Sequence, residues 1–276
     1  MPGLDEFQVV RRRRSQRNRQ VIPLPLGVIL YPPEINTEHL LRSMLDAVIV
    51  LRKSPYRQIL FDCLSKSLSI LDRDPIQEIV CYGLGNFSQS RSSKHQLAAL
   101  LTIKSRYQCP VYLYDPVFYP EEIEVLELLG LSIIPVNEHA QRKVNNDTLT
   151  LFYMPHVYKG LIANCVNANW GLNLNNCIFF TNSFESIKND LGNGPRNRGI
   201  ANHYQIASEL IEKVSVCVDE ISLKLSNTDQ YCMADAFNST SIHVFKNSRL
   251  TDVPDDFWVP IYSENYRFDE NPAAGH

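Results

Sequence analysis

The sequence lacks the features of a membrane protein or a secreted protein. No stretch approaches the roughly 18 to 20 consecutive apolar residues that a membrane-spanning helix needs. The first residues, MPGLDEFQVVRRRR, contain no apolar segment of the kind found in secretory signals. The seven cysteines form no CxxC pair and lie mostly inside apolar stretches, which is typical of reduced thiols. We therefore expect a cytoplasmic and nuclear protein that makes no membrane contact.

The motifs of several enzyme classes are also missing. The chain has no GxxxxGK[ST] phosphate loop, no GxSxG nucleophile elbow and no HExxH helix. Its seven histidines do not pair with cysteines at the spacing of zinc ligands. These absences argue against P-loop nucleotide hydrolysis, serine hydrolysis of that type and zinc-dependent hydrolysis. The sequence predicts no metal site.

Positive charge is concentrated in one short segment near the start of the chain. The formal net charge is −3, and six arginines lie between Arg11 and Arg19. Removing those six positive charges leaves −9 for the rest, and so acidic a body does not attract nucleic acid through its general field. Nucleic-acid binding is therefore expected only through the Arg11–Arg19 arm. A nuclear localisation signal, an RNA- or phosphate-binding tail and a solvated terminus are the open interpretations.

The apolar pattern divides the chain into four segments. Prolines at 23, 25, 32 and 33 interrupt the start, and apolar residues then recur at helical spacing over 38–53 and about 55–71. We expect a basic, flexible arm over 1–36, a helical preface packed on the core over 37–74, an α/β domain over 75–260 and a C-terminal tail over 261–276.

Apolar strands alternate with helices inside the third segment. The predicted strands are 78–85, 111–115, 131–136, 148–154 and 176–183, with helices at 92–107, 120–130, 158–168 and 202–213. Residues 214–225 fit either a sixth strand or the end of a long helix, and 240–245 fits a strand. This alternation predicts an α/β, Rossmann-like three-layer fold with a mostly parallel sheet.

Two glycines and an acid mark the first predicted site. Gly83 and Gly85 follow the first strand, and Asp115 ends the second. In a doubly wound sheet, ligands bind beyond the carboxyl ends of the strands, so these residues suit a nucleotide-like ligand. Ser88 replaces the third glycine of GxGxxG, and Cys81 stands where adenosylmethionine-dependent methyltransferases have an acid. A purely structural turn is the competing interpretation.

Other polar residues are expected at the same edge of the sheet. His156 follows the fourth strand and is interpreted either as a proton-transfer group or as a packing residue. Asn182 and Ser183 end the fifth strand and offer neutral hydrogen-bonding groups. His95 and Gln96, on the helix after the glycine turn, are further pocket candidates.

One dipeptide raises the question of haem. Cys109 and Pro110 form a Cys-Pro pair of the kind invoked as a haem-responsive thiolate. A turn between a helix and a strand explains the same two residues. The cofactor therefore stays unknown from the sequence, with a nucleotide-like ligand as the main candidate.

Several short motifs together resemble the SRR family, named for sensitivity to red light reduced. They occur in order along the stretches IVCYGLGNFSQSRSSKHQLAALL, VYLYDPVFYPEEIEVLELLG, LTLFYMPH, LIANCVNANW and IFFTNSF. Their residues are Gly83, Leu84 and Gly85; Gln96 and Leu97; Asp115, Pro116 and Phe118; Glu124, Leu128, Leu129 and Gly130; Pro155 and His156; Asn169 and Trp170; and Asn182, Ser183 and Phe184. TSIHVF and DFW near the end also resemble the family.

The resemblance implies a non-catalytic regulatory protein with protein partners. It implies roles in circadian and light signalling, in regulation of haem biosynthesis and in microtubule-related processes, and it assigns no catalytic residues. Asparagine-rich loops favour a fungal member of the benomyl-resistance type. The alternative is an enzyme or ligand sensor that binds a nucleotide or adenosylmethionine in the crevice at the strand ends.

Overall fold

A computed structural model describes residues 34–73, 75–189, 198–223 and 231–261. The chain divides into two units, Met1–Glu34 and Ile35–His276. Most of the predicted basic arm (1–33 of 1–36) and most of the C-terminal tail lie outside the described residues. The boundaries proposed for the four segments therefore stay predictions.

The described part of the second unit contains nine α-helices and seven strands, besides two short 3-10 helices at Leu172–Asn176 and Asp255–Trp258. In chain order, the α-helices and strands are α1 (Thr37–Lys53), α2 (Pro55–Leu71), β1 (Glu78–Tyr82), α3 (Arg91–Tyr107), β2 (Val111–Tyr114), α4 (Pro120–Leu128), β3 (Ser132–Ile133), β4 (Thr150–Met154), α5 (Lys159–Ala168), β5 (Cys177–Asn182), α6 (Phe184–Asn189), α7 (Arg198–Val214), β6 (Asp219–Ser222), α8 (Tyr231–Phe237), β7 (Thr240–Val244) and α9 (Asn247–Thr251).

The strands form one sheet in the order β3-β2-β1-β4-β5-β7-β6. Strands β1 to β5 are parallel, and β7 is antiparallel to both β5 and β6. The chain moves outward from β1 to β3 and then crosses back to β4 on the other side of β1. The carboxyl ends of β1 and β4 therefore mark the point where strand order reverses, which is the usual ligand position in such folds.

Hydrophobic cores cover both faces of the sheet. On β1, Ile79 and Cys81 belong to one buried cluster, whereas Val80 and Tyr82 belong to the other. Successive side chains of a strand point to opposite faces, so the two clusters lie on opposite sides of the sheet. The first cluster includes side chains of α1, α2, α3, α4 and α8, and the second includes those of α5, α6 and α7. The predicted Rossmann-like α/β fold with a mostly parallel sheet is confirmed.

Local sequence explains where the central elements begin and end. Ser90 caps α3 by accepting a hydrogen bond from the Ser93 amide, and Gln108 ends that helix in the left-handed conformation. Strand β1 ends at Tyr82 because Gly83 turns the chain at a φ of 69°. In the described ranges, no helix is long and apolar enough to span a membrane.

Candidate functional site

The predicted site residues lie at one edge of the sheet. Gly83 and Gly85 follow β1, Asp115 follows β2, His156 lies two residues beyond β4, and Asn182 is the last residue of β5. These four strands are parallel, so their carboxyl ends meet at the same edge. We call Gly83, Gly85, Asp115, His156 and Asn182 the strand-end cluster.

Both glycines of the cluster lie against neighbouring protein atoms. A Cβ added to Gly83 would lie 2.6 Å from Cγ1 of Val157, in the loop that follows β4. A Cβ added to Gly85 would lie 3.0 Å from Oγ of Ser93, in the first turn of α3. Both residues also have φ values, 69° and 77°, that side chains other than glycine rarely adopt. Close packing therefore explains the glycines without reference to a ligand.

The Asp115 carboxylate holds the glycine turn. Its Oδ2 accepts a hydrogen bond of 2.7 Å from the Gly85 amide, and its Oδ1 accepts one of 3.0 Å from the Val117 amide. Burial raises the pKa of Asp115, although the two amide bonds oppose this shift. Both carboxylate oxygens are thus used by the backbone, and binding of a ribose by Asp115 stays a prediction.

A buried glutamate that the sequence prediction missed anchors the next part of the turn. Glu122, in the first turn of α4, is fully buried and accepts a hydrogen bond of 2.7 Å from the Ser88 amide. It also accepts bonds of 3.0 Å from Asn86 Nδ2 and from the Tyr119 amide. The one sequence signal was an acid in the third position of a helix that starts at Pro120, a spacing found in capping boxes. Ser88, in place of a third glycine, thus joins this turn to α4.

His156 connects the loop after β4 to the turn before β7. Its Nε2 lies 2.8 Å from the Asn238 carbonyl oxygen, and its Nδ1 lies 3.4 Å from Nε2 of Gln96. The neutral tautomer with its proton on Nε2 satisfies both contacts, since Nε2–H then donates and Nδ1 accepts. Gln96 also donates a bond of 2.9 Å to the Ala236 carbonyl. The structure therefore brings His156 and Gln96 together and joins both to the α8–β7 region, while their role in ligand binding stays a prediction.

Asn182 and Ser183 also bond to neighbouring backbone. Asn182 Oδ1 accepts a hydrogen bond of 3.1 Å from the Val157 amide, which fixes the loop that lies on Gly83. Ser183 Oγ accepts a bond of 3.1 Å from the Ser186 amide at the start of α6. Ser183 further lines a polar cleft of about 330 Å³ beside Glu220. These two residues join the ends of β4 and β5 to the elements that follow them.

Two predicted residues, His95 and Cys109, lie apart from the contacts described for this cluster. His95 is buried, and its Nδ1 lies 2.8 Å from the carbonyl oxygen of Arg91 in the same helix, while burial lowers the pKa of its ring. Cys109 is buried just before β2, at the amino end of that strand, and burial raises the pKa of its thiol. The haem interpretation of Cys109 stays a prediction. In the ranges that the structure covers, no group of three or more His, Cys, Asp or Glu residues is placed to hold a metal.

The sequence prediction also missed a polar pair on neighbouring strands, Glu220 on β6 and His243 on β7. His243 Nε2 is 3.6 Å from Oε1 of Glu220, and the buried His243 ring stacks on Phe184 with centroids 3.8 Å apart. Burial raises the pKa of Glu220, but contacts with His243, Ser183 and Ser241 outweigh it and hold this pKa at about 2. Nothing in the sequence pairs these residues, because they lie on different strands.

Comparison with known proteins decides the family. The sequence model of the SRR1 domain matches residues 60–244, which is more than half of the chain. The chain belongs to the SRR1 family. The resemblance seen in the sequence motifs is thereby confirmed, whereas the narrower fungal assignment stays a prediction.

Curated relatives extend over much of the same chain. An SRR1-like protein of Mus musculus is 28% identical over 68% of this chain and 89% of its own length. An SRR1-like protein of Drosophila melanogaster is 27% identical over 92% of this chain and 88% of its own. Protein SENSITIVITY TO RED LIGHT REDUCED 1 of Arabidopsis thaliana is 26% identical over 67% of this chain and 64% of its own length.

Solved structures show only a loose likeness to this SRR1 chain. The plantazolicin methyltransferase BpumL with SAH aligns over 76% of this chain and 95% of its own, with a TM-score of 0.32 and 13% identity. The complex of the same methyltransferase with a triazolic desmethylPZN analogue and SAH aligns with a TM-score of 0.33 and 12% sequence identity. Scores this low carry no functional argument.

The other motif residues of this SRR1 domain also make structural contacts. Asn169 accepts a hydrogen bond of 2.9 Å from the Val144 amide and donates one of 3.0 Å to the Arg142 carbonyl. Trp170 Nε1 donates a bond of 2.8 Å to the Trp258 carbonyl near the end of the described chain. The SRR1 motifs of this chain therefore position loops around the sheet.

Proposed function

We propose that this member of the SRR1 family is a regulatory protein that acts through other proteins and catalyses no reaction. Membership and the red-light relative in Arabidopsis thaliana support a role in light signalling, and the family resemblance implies a circadian role. Regulation of haem biosynthesis and of microtubule-related processes belongs to the same proposal, since the family resemblance implies both.

One observation carries the non-catalytic part of this proposal. The reactive side chains of the strand-end cluster bond to backbone groups of neighbouring loops: Asp115 to the Gly85 and Val117 amides, and His156 to the Asn238 carbonyl. A general acid or base must reach a substrate with the group that exchanges the proton. Groups that already hold loops together are better suited to fixing the shape of a binding protein.

Complementation of a loss-of-function strain tests the proposal. A His156→Gln variant keeps an amide Nε2 that can donate to the Asn238 carbonyl, but it cannot exchange a proton near neutral pH. It should restore clock-gene rhythm, haem content and benomyl response as well as the wild type does. His156→Ala, which loses the contact, serves as the control for stability. Loss of function in His156→Gln at an unchanged melting temperature would overturn the proposal.

A second candidate function is ligand sensing at the same edge. The observation in its favour is the reversal of strand order between β1 and β4, with Gly85 and Asp115 beside it. Purified protein should then melt at a higher temperature with millimolar adenosylmethionine, a nicotinamide dinucleotide or another nucleotide. The shift should vanish in Asp115→Ala and persist in Arg249→Gln, a surface control. No shift with any of these compounds would remove this candidate.

The location of the protein is part of the proposal as well. We expect it in both the cytoplasm and the nucleus, with the Arg11–Arg19 segment directing nuclear entry. A fluorescent fusion with these six arginines changed to glutamine should leave the nucleus. If that fusion keeps its nuclear signal, the segment has another role, and salt-dependent binding to RNA is then the property to measure.

A further inference from the structure

Three helix ends form a basic groove away from the strand-end cluster. The groove has a volume of about 420 Å³ and lies where α1 ends, α2 begins and α3 ends. Its lining residues are Arg52, Arg57, Phe61, Thr102, Ser105 and Arg106. No carboxylate is among these residues. We call this concavity the arginine groove.

Two guanidinium groups of the groove share one aromatic ring. The Cζ atoms of Arg57 and Arg106 lie 5.4 Å and 5.0 Å from the ring centroid of the buried Phe61. Contact with a ring face orients a guanidinium group and leaves its N–H groups free for a fork of oxygen atoms. The Phe61 ring therefore holds two guanidinium groups in the same groove. Their positive charges repel each other, and a bound anion would offset this repulsion.

Neighbouring charges do not neutralise the groove. Across the described ranges of the chain, Arg52, Arg57 and Arg106 form no ion pair with a carboxylate. Arg57 also lies in the first turn of α2, which has no acidic residue there, so its charge opposes the helix dipole. Helix stability alone does not explain a cation at this position.

The surface around the groove is long and partly apolar. Leu45 and Ile49 are 47% and 49% exposed, and they share one flank of α1 with Arg52, at i, i+4 and i+7 spacing. On the other side, Arg106 also lines a second cleft of about 390 Å³ together with Ser65, Ser69, Arg73 and the exposed Asp72. This second cleft therefore carries both signs of charge, whereas the arginine groove carries only positive charge. This surface matches an extended segment better than a single small anion.

We propose that the arginine groove binds an acidic segment of a partner protein, with apolar side chains of that segment on Leu45 and Ile49. Its carboxylates would accept hydrogen bonds from Arg57 and Arg106, while the apolar flank supplies buried area. A nucleic acid fits less well, because outside Arg11–Arg19 the net charge is about −9 and would repel a long polyanion. The groove is separate from the strand-end cluster, so this inference goes beyond the proposed function. If the groove binds no acidic segment, the proposed function still stands.

Fluorescence anisotropy with the full chain tests the proposal. The probe is a labelled synthetic peptide in which glutamates alternate with leucines, and the comparison peptide carries glutamine at every glutamate position. The first peptide should bind, more weakly as salt is raised, and the glutamine peptide should not. The Arg57→Gln/Arg106→Gln variant should bind the first peptide about tenfold more weakly, as expected for loss of two exposed charge-assisted hydrogen bonds.

Two further variants separate the groove from general charge effects. Arg249→Gln removes a positive charge outside the groove, where the guanidinium pairs with Asp219, and should leave affinity unchanged. Leu45→Ser/Ile49→Ser should weaken binding without changing its dependence on salt. Equal weakening by Arg249→Gln and by the double arginine variant would overturn the proposal. Tighter binding of a single-stranded oligonucleotide than of the acidic peptide, lost in the same arginine variant, would overturn it too.

Discussion

Replacement of Gly83 by alanine tests whether packing, rather than ligand approach, requires a glycine after β1. The added Cβ would lie 2.6 Å from Val157 Cγ1, which is far inside normal contact. Val157 is buried, and its amide is held by Asn182, so the valine has little freedom to withdraw. The glycine should therefore be needed for stability even when no ligand is present.

The expected loss has two parts. A φ of 69° costs a residue with a Cβ about 1–2 kcal/mol, and overpacking of a buried contact adds about 1–3 kcal/mol. Gly130→Ala is the matched control, since its φ is 72° and its nearest neighbour is the end of the flexible Lys104 side chain. Both variants gain equally from a stiffer unfolded chain, so this gain cancels in the comparison. Gly83→Ala should be the less stable of the two by about 1–3 kcal/mol.

Thermal melting measures this difference. At about 3 °C per kcal/mol for a domain of this size, Gly83→Ala should melt about 3–9 °C below Gly130→Ala. In the double variant Gly83→Ala/Val157→Ala the clash is gone. Its loss of stability should therefore be smaller than the sum of the losses of the two single variants. Equal melting temperatures for Gly83→Ala and Gly130→Ala, or strictly additive losses in the double variant, would refute the packing explanation.

Three other substitutions test the contacts around the sheet. Glu122→Ala leaves the Ser88 and Tyr119 amides without their acceptor and should lower the unfolding free energy by about 3 kcal/mol in urea titration; an unchanged midpoint would contradict the anchoring role. Tyr56→Phe removes a buried hydroxyl that has no hydrogen-bond partner within the described residues, so it should raise stability by about 1 kcal/mol, and a lower melting temperature would be inconsistent with this. Because the folded-state pKa of Glu220 is depressed from 4.5 to about 2, its contribution is full above pH 4.5 and is lost as the pH falls toward 2. In Glu220→Gln, the unfolding free energy should change less with pH between 2 and 4.5 than it does in the wild type. An equal dependence on pH in both proteins would count against the pairing with His243.

The sequence predicts the architecture well where one pattern dominates. Helical spacing placed the helices that became α1 and α2 within about one residue at either end, and buried strands such as β4 stand out as short apolar runs. The predicted third strand over 131–136 shrinks to Ser132–Ile133, because in the part of the chain that the structure describes it pairs only with β2, at the sheet edge. Apolar composition cannot tell an edge strand from a central one.

The site was predictable in position but not in its contacts. Strand ends placed Asp115 and His156 at a common edge, since parallel topology requires it. The partners that hold them, such as the Asn238 carbonyl for His156, come from a turn more than 80 residues later in the chain. No local pattern encodes such a pair. For the same reason, the antiparallel direction of β7 follows from tertiary contacts and not from its composition.

The place of β7 in the sheet affects the order in which the chain can be completed. β7 lies between β5 and β6, and within the described ranges β6 pairs only with β7. During synthesis β6 leaves the ribosome first and has no strand to pair with until β7 follows. A truncation just before Thr240 would therefore remove one strand and leave a second without a neighbour. Such a product would expose the open edges of β5 and β6, which favour aggregation.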